Sequence, residues 1–154
     1  MNRFRILVMN GPNLGHLGQR QPEIYGSTGM DALPGMLKRL MGEQAEALEL
    51  EYFHSNSEGA LIDRLELARQ DGTAGVVLNA GAYTHTSLAL ADCLAWINLP
   101  CVEVHISNVL ARAEQLRHRS LIGRHVIGVV AGFGMVSYAL GVQALVTHLQ
   151  DTQQ

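Results

Sequence analysis

The chain has 154 residues, of which 47% are hydrophobic and 16% are charged, and its formal net charge is −3. This length predicts one domain over residues 1–154 with a core that needs no disulfide or metal staple, and the negative charge argues against a general nucleic-acid binder. The sequence contains no apolar run long enough to predict a signal peptide or a membrane span. Cys93 and Cys101 form no paired motif, so we expect a reducing, cytoplasmic setting.

Short apolar segments alternate with segments of helical spacing along the chain. Strand-helix alternation is typical of parallel βαβ units. We therefore expect an α/β protein with a flavodoxin-like, doubly wound five-stranded parallel sheet in a three-layer αβα arrangement. The predicted elements, in chain order, are strand 4–9, helix 30–47, strand 48–53, a helix from the capping pair Ser55 and Glu58 to Ala68, strand 75–79, helix 86–97, strand 101–106, helix 111–119, strand 126–131 and a last helix marked by Tyr138, Val142, Leu145 and Leu149.

Doubly wound sheets bind ligands beyond the carboxyl ends of their strands. Three of the predicted strand ends are rich in amide, imidazole and hydroxyl groups, namely residues 10–13, 79–81 and 105–108. No GxxxxGK[ST] occurs and no GxGxxG follows the first strand, so a flavin or nucleotide site has only fold analogy in its favour. The polar strand ends predict a site for a small polar ligand.

Two histidines stand at this predicted edge. Glu103 and His105 are two apart on one strand, so their side chains share a face, and a carboxylate there fixes the imidazole's tautomer and raises its basicity. His85 precedes the third long helix at the same edge. A metal site built from His85, His105 and His118 is an alternative, but no HxH or HExxH spacing supports it, so we expect no metal.

Helix 86–97 is apolar nearly all round, which predicts burial on two sides, the second against another subunit. Asp92 is the exception, and as a buried carboxylate it would pair structurally or serve a site shared between subunits. Further on, residues 112–125 concentrate arginine and histidine against one acid, Glu114. That segment is either a local anion site or a solvated helix and loop.

A polar loop between glycines spans residues 18–29 and contains Arg20 and Tyr25. Long polar loops in compact domains often act as lids over a site. Positive charge beside a tyrosine favours the phenolate, which is a competent general base. Composition alone favours an ordinary surface loop over a lid.

Four blocks of sequence carry a family resemblance: NGPNLGHLGQRQPEIYG at 10–26, SNSEGALID at 55–63, LNAGAYTHTSLALAD at 78–92 and VEVHISN at 102–108. Together they resemble the type II 3-dehydroquinate dehydratases (type II dehydroquinases) over nearly the whole chain. The resemblance implies a flavodoxin-like lyase that uses no cofactor and forms a homododecamer of trimers. It also implies anti elimination of water from 3-dehydroquinate to 3-dehydroshikimate through an enolate, in the shikimate pathway of aromatic amino acid biosynthesis or in quinate metabolism.

The resemblance also implies catalytic roles for five residues. Tyr25 would take the proton beside the ketone, with Arg20 favouring its phenolate. His105, oriented by Glu103, would protonate the departing hydroxyl. Asn13 would stabilise the enolate oxygen through a water.

The remaining implied residues bind the substrate. The backbone amides of Ile106 and Ser107 would hold the carboxylate, with Arg112 assisting at the lid. Ring hydroxyls would meet three side chains of the same subunit and one from a neighbouring subunit, namely Asn79, His85, Arg117 and the neighbour's Asp92.

The chain departs from the family pattern at three places. Gln21 stands where the family's lid has glutamate, and Leu110 stands where histidine is common. The segment near 113–116 is one residue longer, which leaves Arg117 and Arg119 as alternatives for one substrate contact. These changes motivate a second hypothesis, a catalytically weak relative that binds a quinate-like ligand.

Overall fold

The computed structural model of the chain describes residues 3–17 and 29–154. Five parallel strands form one sheet, in the spatial order second, first, third, fourth and fifth along the chain. This confirms the predicted flavodoxin-like sheet. The strands are β1 (Phe4–Asn10), β2 (Leu48–His54), β3 (Gly75–Asn79), β4 (Cys101–His105) and β5 (Gly128–Ala131).

In the described part of the chain, four α-helices cover the sheet in two layers: α1 (Leu33–Met41), α2 (Glu58–Ala68), α3 (Leu88–Ile97) and α4 (Val136–Thr152). Alternate residues of β1 point to opposite faces. Ile6 and Val8 belong to the core beneath α1 and α4, whereas Leu7 and Met9 belong to the core beneath α2 and α3. Among the helices that the structure describes, none has the length and apolar character to cross a membrane.

The first two predicted helices differ from the structure at their ends. Helix 30–47 is α-helical only over Leu33–Met41, because Gly42 at φ 58° ends it and a 3₁₀ segment follows. The predicted cap Ser55 is wrong: Ser57 is the N-cap, and its side chain accepts a hydrogen bond from the Ala60 amide at 3.3 Å. The Ser55 hydroxyl instead accepts from the Ser57 amide at 3.0 Å and shapes the turn before α2.

The predicted helix 111–119 is also wrong, because the segment forms two 3₁₀ turns, Val109–Ala111 and Gln115–His118. The carbonyl of Arg112 accepts a 2.7 Å hydrogen bond from His118 Nε2, so it is not available to a regular helix. Leu110 and Leu116 are both largely exposed, so no apolar face packs a helix onto the sheet.

Helix α3 buries only one of its two apolar sides within this chain. Leu90 and Leu94 are buried against the sheet, but Leu88 is 68% and Trp96 50% exposed. Asp92 lies on the exposed side, so the expectation of a buried carboxylate is wrong for the single subunit. The expectation failed because composition alone cannot tell which apolar side of a helix faces its own core.

Both cysteines are free thiols buried in the layer that contains α2 and α3. Burial raises the pKa of Cys93 to about 11 and raises that of Cys101 further. A thiol with a raised pKa is a poor nucleophile at neutral pH, so the two cysteines serve as packing groups.

Candidate active site

A cleft lies at the carboxyl edge of the sheet, where neighbouring strands end together. Asn10 of β1 pairs in register with Asn79 of β3, and His105 ends the adjacent β4. Most of the predicted site residues meet in this cleft. Its lining includes Asn13, Asn79, His85, His105, Ile106, Ser107, Arg112 and Arg117.

Two loops cross closely at the floor of the cleft. The Gly11 amide donates to the Asn79 carbonyl at 2.8 Å, and a Cβ on Gly11 would collide with the Ala80 carbonyl. Gly81 adopts φ 58°, and a Cβ there would lie 2.9 Å from the Pro12 carbonyl oxygen. Glycine is therefore required at both positions to bring the first and third strand ends together.

Asn13 has a left-handed backbone, with φ 65°, which asparagine tolerates better than most residues. Its amide donates to Asn56 Oδ1 at 3.0 Å. The Asn56 carbonyl in turn accepts from the Tyr83 hydroxyl at 3.1 Å. Asn56 thus helps to fix the turn that places Asn13, a role that sequence reasoning missed although Asn56 lies within the block 55–63.

Glu103 and His105 form a buried pair, as their spacing predicts. His105 Nε2 lies 2.7 Å from Glu103 Oε2, and the two residues are 5% and 2% exposed. The other carboxylate oxygen, Oε1, accepts from the Ser120 hydroxyl at 2.5 Å. Because Glu103 engages Nε2, Nδ1 is the ring nitrogen left to act on a ligand, and the carboxylate stabilises positive charge on the ring.

Ser120 is a second residue that sequence reasoning missed. It lies 17 positions from Glu103, in an irregular segment where no periodicity marks it. The same segment is attached to the cleft wall by the Leu121 amide, which donates to the Thr84 carbonyl at 2.9 Å. A short run of chain therefore supports the carboxylate from outside the sheet.

His85 stacks beside His105, with ring centroids 6.2 Å apart and planes inclined by 22°. Its Nδ1 donates to the Arg119 carbonyl at 2.6 Å, which leaves Nε2 as an acceptor. Burial lowers the pKa of His85, and the nearby His105 and Arg117 lower it further. His85 is therefore neutral at pH 7 and presents a hydrogen-bond acceptor.

Two arginines line the flank of the cleft. Arg112 Nη1 donates to the Ser107 hydroxyl at 3.3 Å, and Arg117 Nε lies 3.5 Å from Glu114 Oε2. Arg119 does not line this cleft, and its backbone carbonyl holds His85 instead. Of the two arginine alternatives, Arg117 lines this cleft, and both Arg117 and Arg119 line the wider cavity beside it.

Backbone geometry fixes the turn after β4. The Gly134 amide donates to the Ile106 carbonyl at 3.0 Å, and the Gly132 amide donates to the His105 carbonyl at 3.2 Å. Gly132 has φ 98°, and a Cβ there would lie 3.1 Å from the Asn108 Cβ. The turn that contains Ile106 and Ser107 is thereby held against the loop that follows β5.

A wider cavity of about 620 Å³ adjoins the cleft. It shares His85, His105 and Arg117 with the cleft and also reaches Glu103. Its lining is open to solvent and mixes apolar with polar groups. The exposed lining residues are Leu110, Val129 and Phe133 on the apolar side and Asn108, His118, Arg119 and Ser120 on the polar side.

Other predicted residues are not among the described residues that line this cleft. Arg20, Gln21 and Tyr25 fall in 18–28, outside the described residues. Asp92 lies on the exposed side of α3 and does not line the cleft of its own subunit. Within residues 3–17 and 29–154, no cluster of three or more His, Cys, Asp or Glu side chains has the arrangement of a metal site.

Comparisons with known proteins give one consistent result. The family model described as "Dehydroquinase class II" matches residues 4–146. The chain is 51% identical over 148 residues to a 3-dehydroquinate dehydratase of Exiguobacterium sp., covering 96% of this chain and 98% of the relative. It is 49% identical over 146 residues to one of Chlorobaculum tepidum, covering 94% and 95%. A crystal structure of type II dehydroquinase from Butyrivibrio crossotus superposes with a TM-score of 0.83 at 40% identity, over 93% of this chain and 97% of that one.

Proposed function

The chain belongs to the dehydroquinase class II family of hydro-lyases, and we propose that it converts 3-dehydroquinate to 3-dehydroshikimate by anti elimination of water through an enolate, without a cofactor. The observation that carries this mechanism is the buried Glu103–His105 pair, which ends β4 in a cleft also lined by Asn13. An acid and a polar amide at one strand edge supply two of the three groups that the elimination needs.

The first step is removal of a proton from the carbon beside the ketone. The C–H electron pair becomes the enolate double bond, and negative charge moves onto the ketone oxygen. Asn13 would stabilise that oxygen through a water, since oriented donors act where charge develops. Tyr25, as the phenolate, would take the proton, and Arg20 would favour that charge state.

The second step is loss of the hydroxyl group. The enolate electrons form the ring double bond, the carbon–oxygen bond breaks, and His105 gives its Nδ1 proton to the departing oxygen, so that water leaves. Glu103 supports the protonated ring from Nε2 at 2.7 Å. The product is the conjugated enone 3-dehydroshikimate.

Substrate binding would use the rest of the cleft. The amides of Ile106 and Ser107 would hold the carboxylate, because a turn of successive N–H groups suits an anion. Asn79, neutral His85 and Arg117 would meet the ring hydroxyls. Arg112, bonded to the Ser107 hydroxyl, stands close to the proposed carboxylate position.

We further propose that the site is completed by a second copy of this chain within a dodecamer built from trimers. Leu88 and Trp96 expose apolar surface on α3, and Asp92 lies on that same face. The cavity beside His85 and Glu103 is open in the single chain, which leaves room for a neighbour's carboxylate.

Mixing two inactive variants, Asp92→Asn and His105→Ala, tests this assembly. If Asp92 acts in a neighbour's site, mixed oligomers contain some intact sites and activity returns after subunit exchange. A fully active monomer in sedimentation would contradict the proposal.

The elimination itself is tested with 3-dehydroquinate deuterated stereospecifically beside the ketone, on the face opposite the leaving hydroxyl. Anti elimination removes this deuterium, so the product by mass spectrometry carries none. The substrate deuterated on the other face is the control and yields a labelled product. The reverse pattern would rule out anti geometry.

The pathway that uses the product, either aromatic biosynthesis or quinate breakdown, is a separate question. A strain in which the gene is deleted answers it, because only a biosynthetic role makes that strain depend on added aromatic compounds.

A further inference from the structure

Tyr138 is a fully buried tyrosine that the proposed mechanism does not use. It lies on α4, and its hydroxyl reaches the carboxyl edge of the sheet from the helix layer. The hydroxyl donates to Asn10 Oδ1 at 2.5 Å and accepts from Asn79 Nδ2 at 2.9 Å. One side chain therefore joins the last residues of β1 and β3, the two strands whose following loops form the cleft floor.

The hydrogen bonds around Tyr138 can run in only one direction. Asn79 Oδ1 accepts from the Gly81 backbone amide at 3.2 Å, and a backbone amide cannot act as an acceptor. Asn79 Nδ2 must therefore face Tyr138, and the tyrosine hydrogen must go to Asn10. Burial raises the pKa of Tyr138, so its hydroxyl stays protonated and keeps this role across the working pH range.

This fixed direction determines what Asn79 offers a ligand. Asn79 lines the cleft but is only 4% exposed, so only a small part of its side-chain amide is accessible to a ligand. One Nδ2 hydrogen is taken by Tyr138, which leaves the second as the donor for an acceptor oxygen in the cleft. If the amide turned over, it would place an oxygen where the ligand needs a donor.

We infer that Tyr138 is a positioning residue for substrate binding: its hydroxyl, bonded between Asn10 and Asn79, acts together with the Gly81 amide to hold the Asn79 amide so that it donates to a ring hydroxyl of the substrate. The inference rests on the proposed function, because it takes Asn79 to be a substrate contact. Tyr138 itself touches no substrate and acts only through Asn79.

The test is a double-mutant cycle with Tyr138→Phe and Asn79→Ala, with 3-dehydroquinate as substrate. Tyr138→Phe keeps the ring packing and removes the hydroxyl, and we expect KM to rise about tenfold, as for one lost oriented hydrogen bond, with a smaller change in kcat. In the Asn79→Ala background the same substitution should change KM by less than about twofold, because a residue that acts through another has no separate effect. Tyr52→Phe on β2, an exposed tyrosine far from the cleft, is the matched control.

The outcomes separate this inference from the proposed function. If Asn79→Ala leaves KM unchanged, Asn79 does not bind the substrate, and both the proposed contact and the inference fail. If Asn79→Ala raises KM but the two effects multiply, Tyr138 has only a structural role and the inference alone fails. Should Tyr138→Phe not fold, Asn10→Ala replaces it in the same cycle, since it removes the acceptor that orients the tyrosine hydroxyl, and the same two results decide.

Discussion

The floor and the flank of the cleft are built in different ways. The floor consists of strand ends, with Asn79 and the Glu103–His105 pair buried and hydrogen-bonded. The flank, residues 107–119, consists of 3₁₀ turns and partly or fully exposed chain, and its Arg117 forms an ion pair with the exposed Glu114. The proposed proton donor is therefore on the buried, hydrogen-bonded part, and the arginines proposed to bind the substrate are on the part that sequence change can alter.

This difference accounts for two of the three departures that the family resemblance implies, whereas the third, Gln21, lies outside the described residues. Leu110 and the expected additional residue near 113–116 lie in the flank, where an insertion changes no strand register. A substitution at Glu103, by contrast, would leave the His105 ring and the Ser120 hydroxyl without their shared buried acceptor. We expect changes at the Glu103–His105 pair to alter kcat, and changes in the flank to alter KM.

The largest effects should come from the two proton-transfer groups. His105→Ala and Tyr25→Phe each remove a general acid or base, so kcat should fall by about 10²–10⁴-fold with the fold kept. Steady-state kinetics with circular dichroism checks this, and His118→Ala, an imidazole bonded to the Arg112 carbonyl outside the pair, is the control. Retained turnover in both variants would contradict the proposed roles.

The flank is tested by comparing two arginines. Arg117 lines the cleft and Arg119 does not, so Arg117→Ala should raise KM about 10–100-fold, as expected for hydrogen bonds from a charged group. Arg119→Ala keeps the backbone carbonyl that holds His85 and should stay close to the parent chain. The opposite order of KM values would show that Arg119 is the substrate contact.

A smaller effect is expected at the boundary between the two regions. Ser120→Ala removes the hydroxyl that donates to the Glu103 carboxylate, and kcat should fall about tenfold, the lower end of the cost of a hydrogen bond to a charged group. Ser120→Thr keeps a hydroxyl and should recover most of the loss. If threonine does not recover activity, the hydroxyl is not the relevant group.

The smallest effect is the titration of His85. Its pKa is lowered mainly by burial, so an NMR titration of the ring should have its midpoint below the ordinary 6.5. The unfolded chain then binds more protons between these two values, so this group makes stability fall as the pH falls through that window. A midpoint above pH 7 would mean that His85 is mostly charged at neutral pH and cannot serve as a neutral acceptor.

Most of the fold could be predicted from the sequence, because buried parallel strands are continuous apolar runs. The run at 75–79 has the predicted limits, whereas β5 begins at Gly128 rather than 126, at the exposed edge of the sheet. The helix predicted for the arginine-rich segment 111–119 was wrong because a charge pattern fits a helix or a loop equally well. The exposure of Asp92 could not be predicted because it depends on which side of α3 meets the sheet.

In the candidate site, too, some contacts could be predicted from the sequence and others could not. The Glu103–His105 contact follows from a two-residue spacing on a strand, which is local information. Tyr138 and Asn10 lie 128 positions apart, and Asn13 and Asn56 lie 43 apart. No local pattern predicts such pairs, because they exist only once the layers of the fold have packed.

The most direct test of the proposed function is turnover of 3-dehydroquinate, followed by the absorbance of the conjugated enone with and without a metal chelator. The account predicts turnover at the same rate in both conditions, since the proposed base, acid and oxyanion groups are all side chains of the protein. A folded oligomer that binds a quinate-like ligand but produces no enone would contradict it, and would direct attention to Gln21 and Leu110 as the changes that separate this chain from an active enzyme.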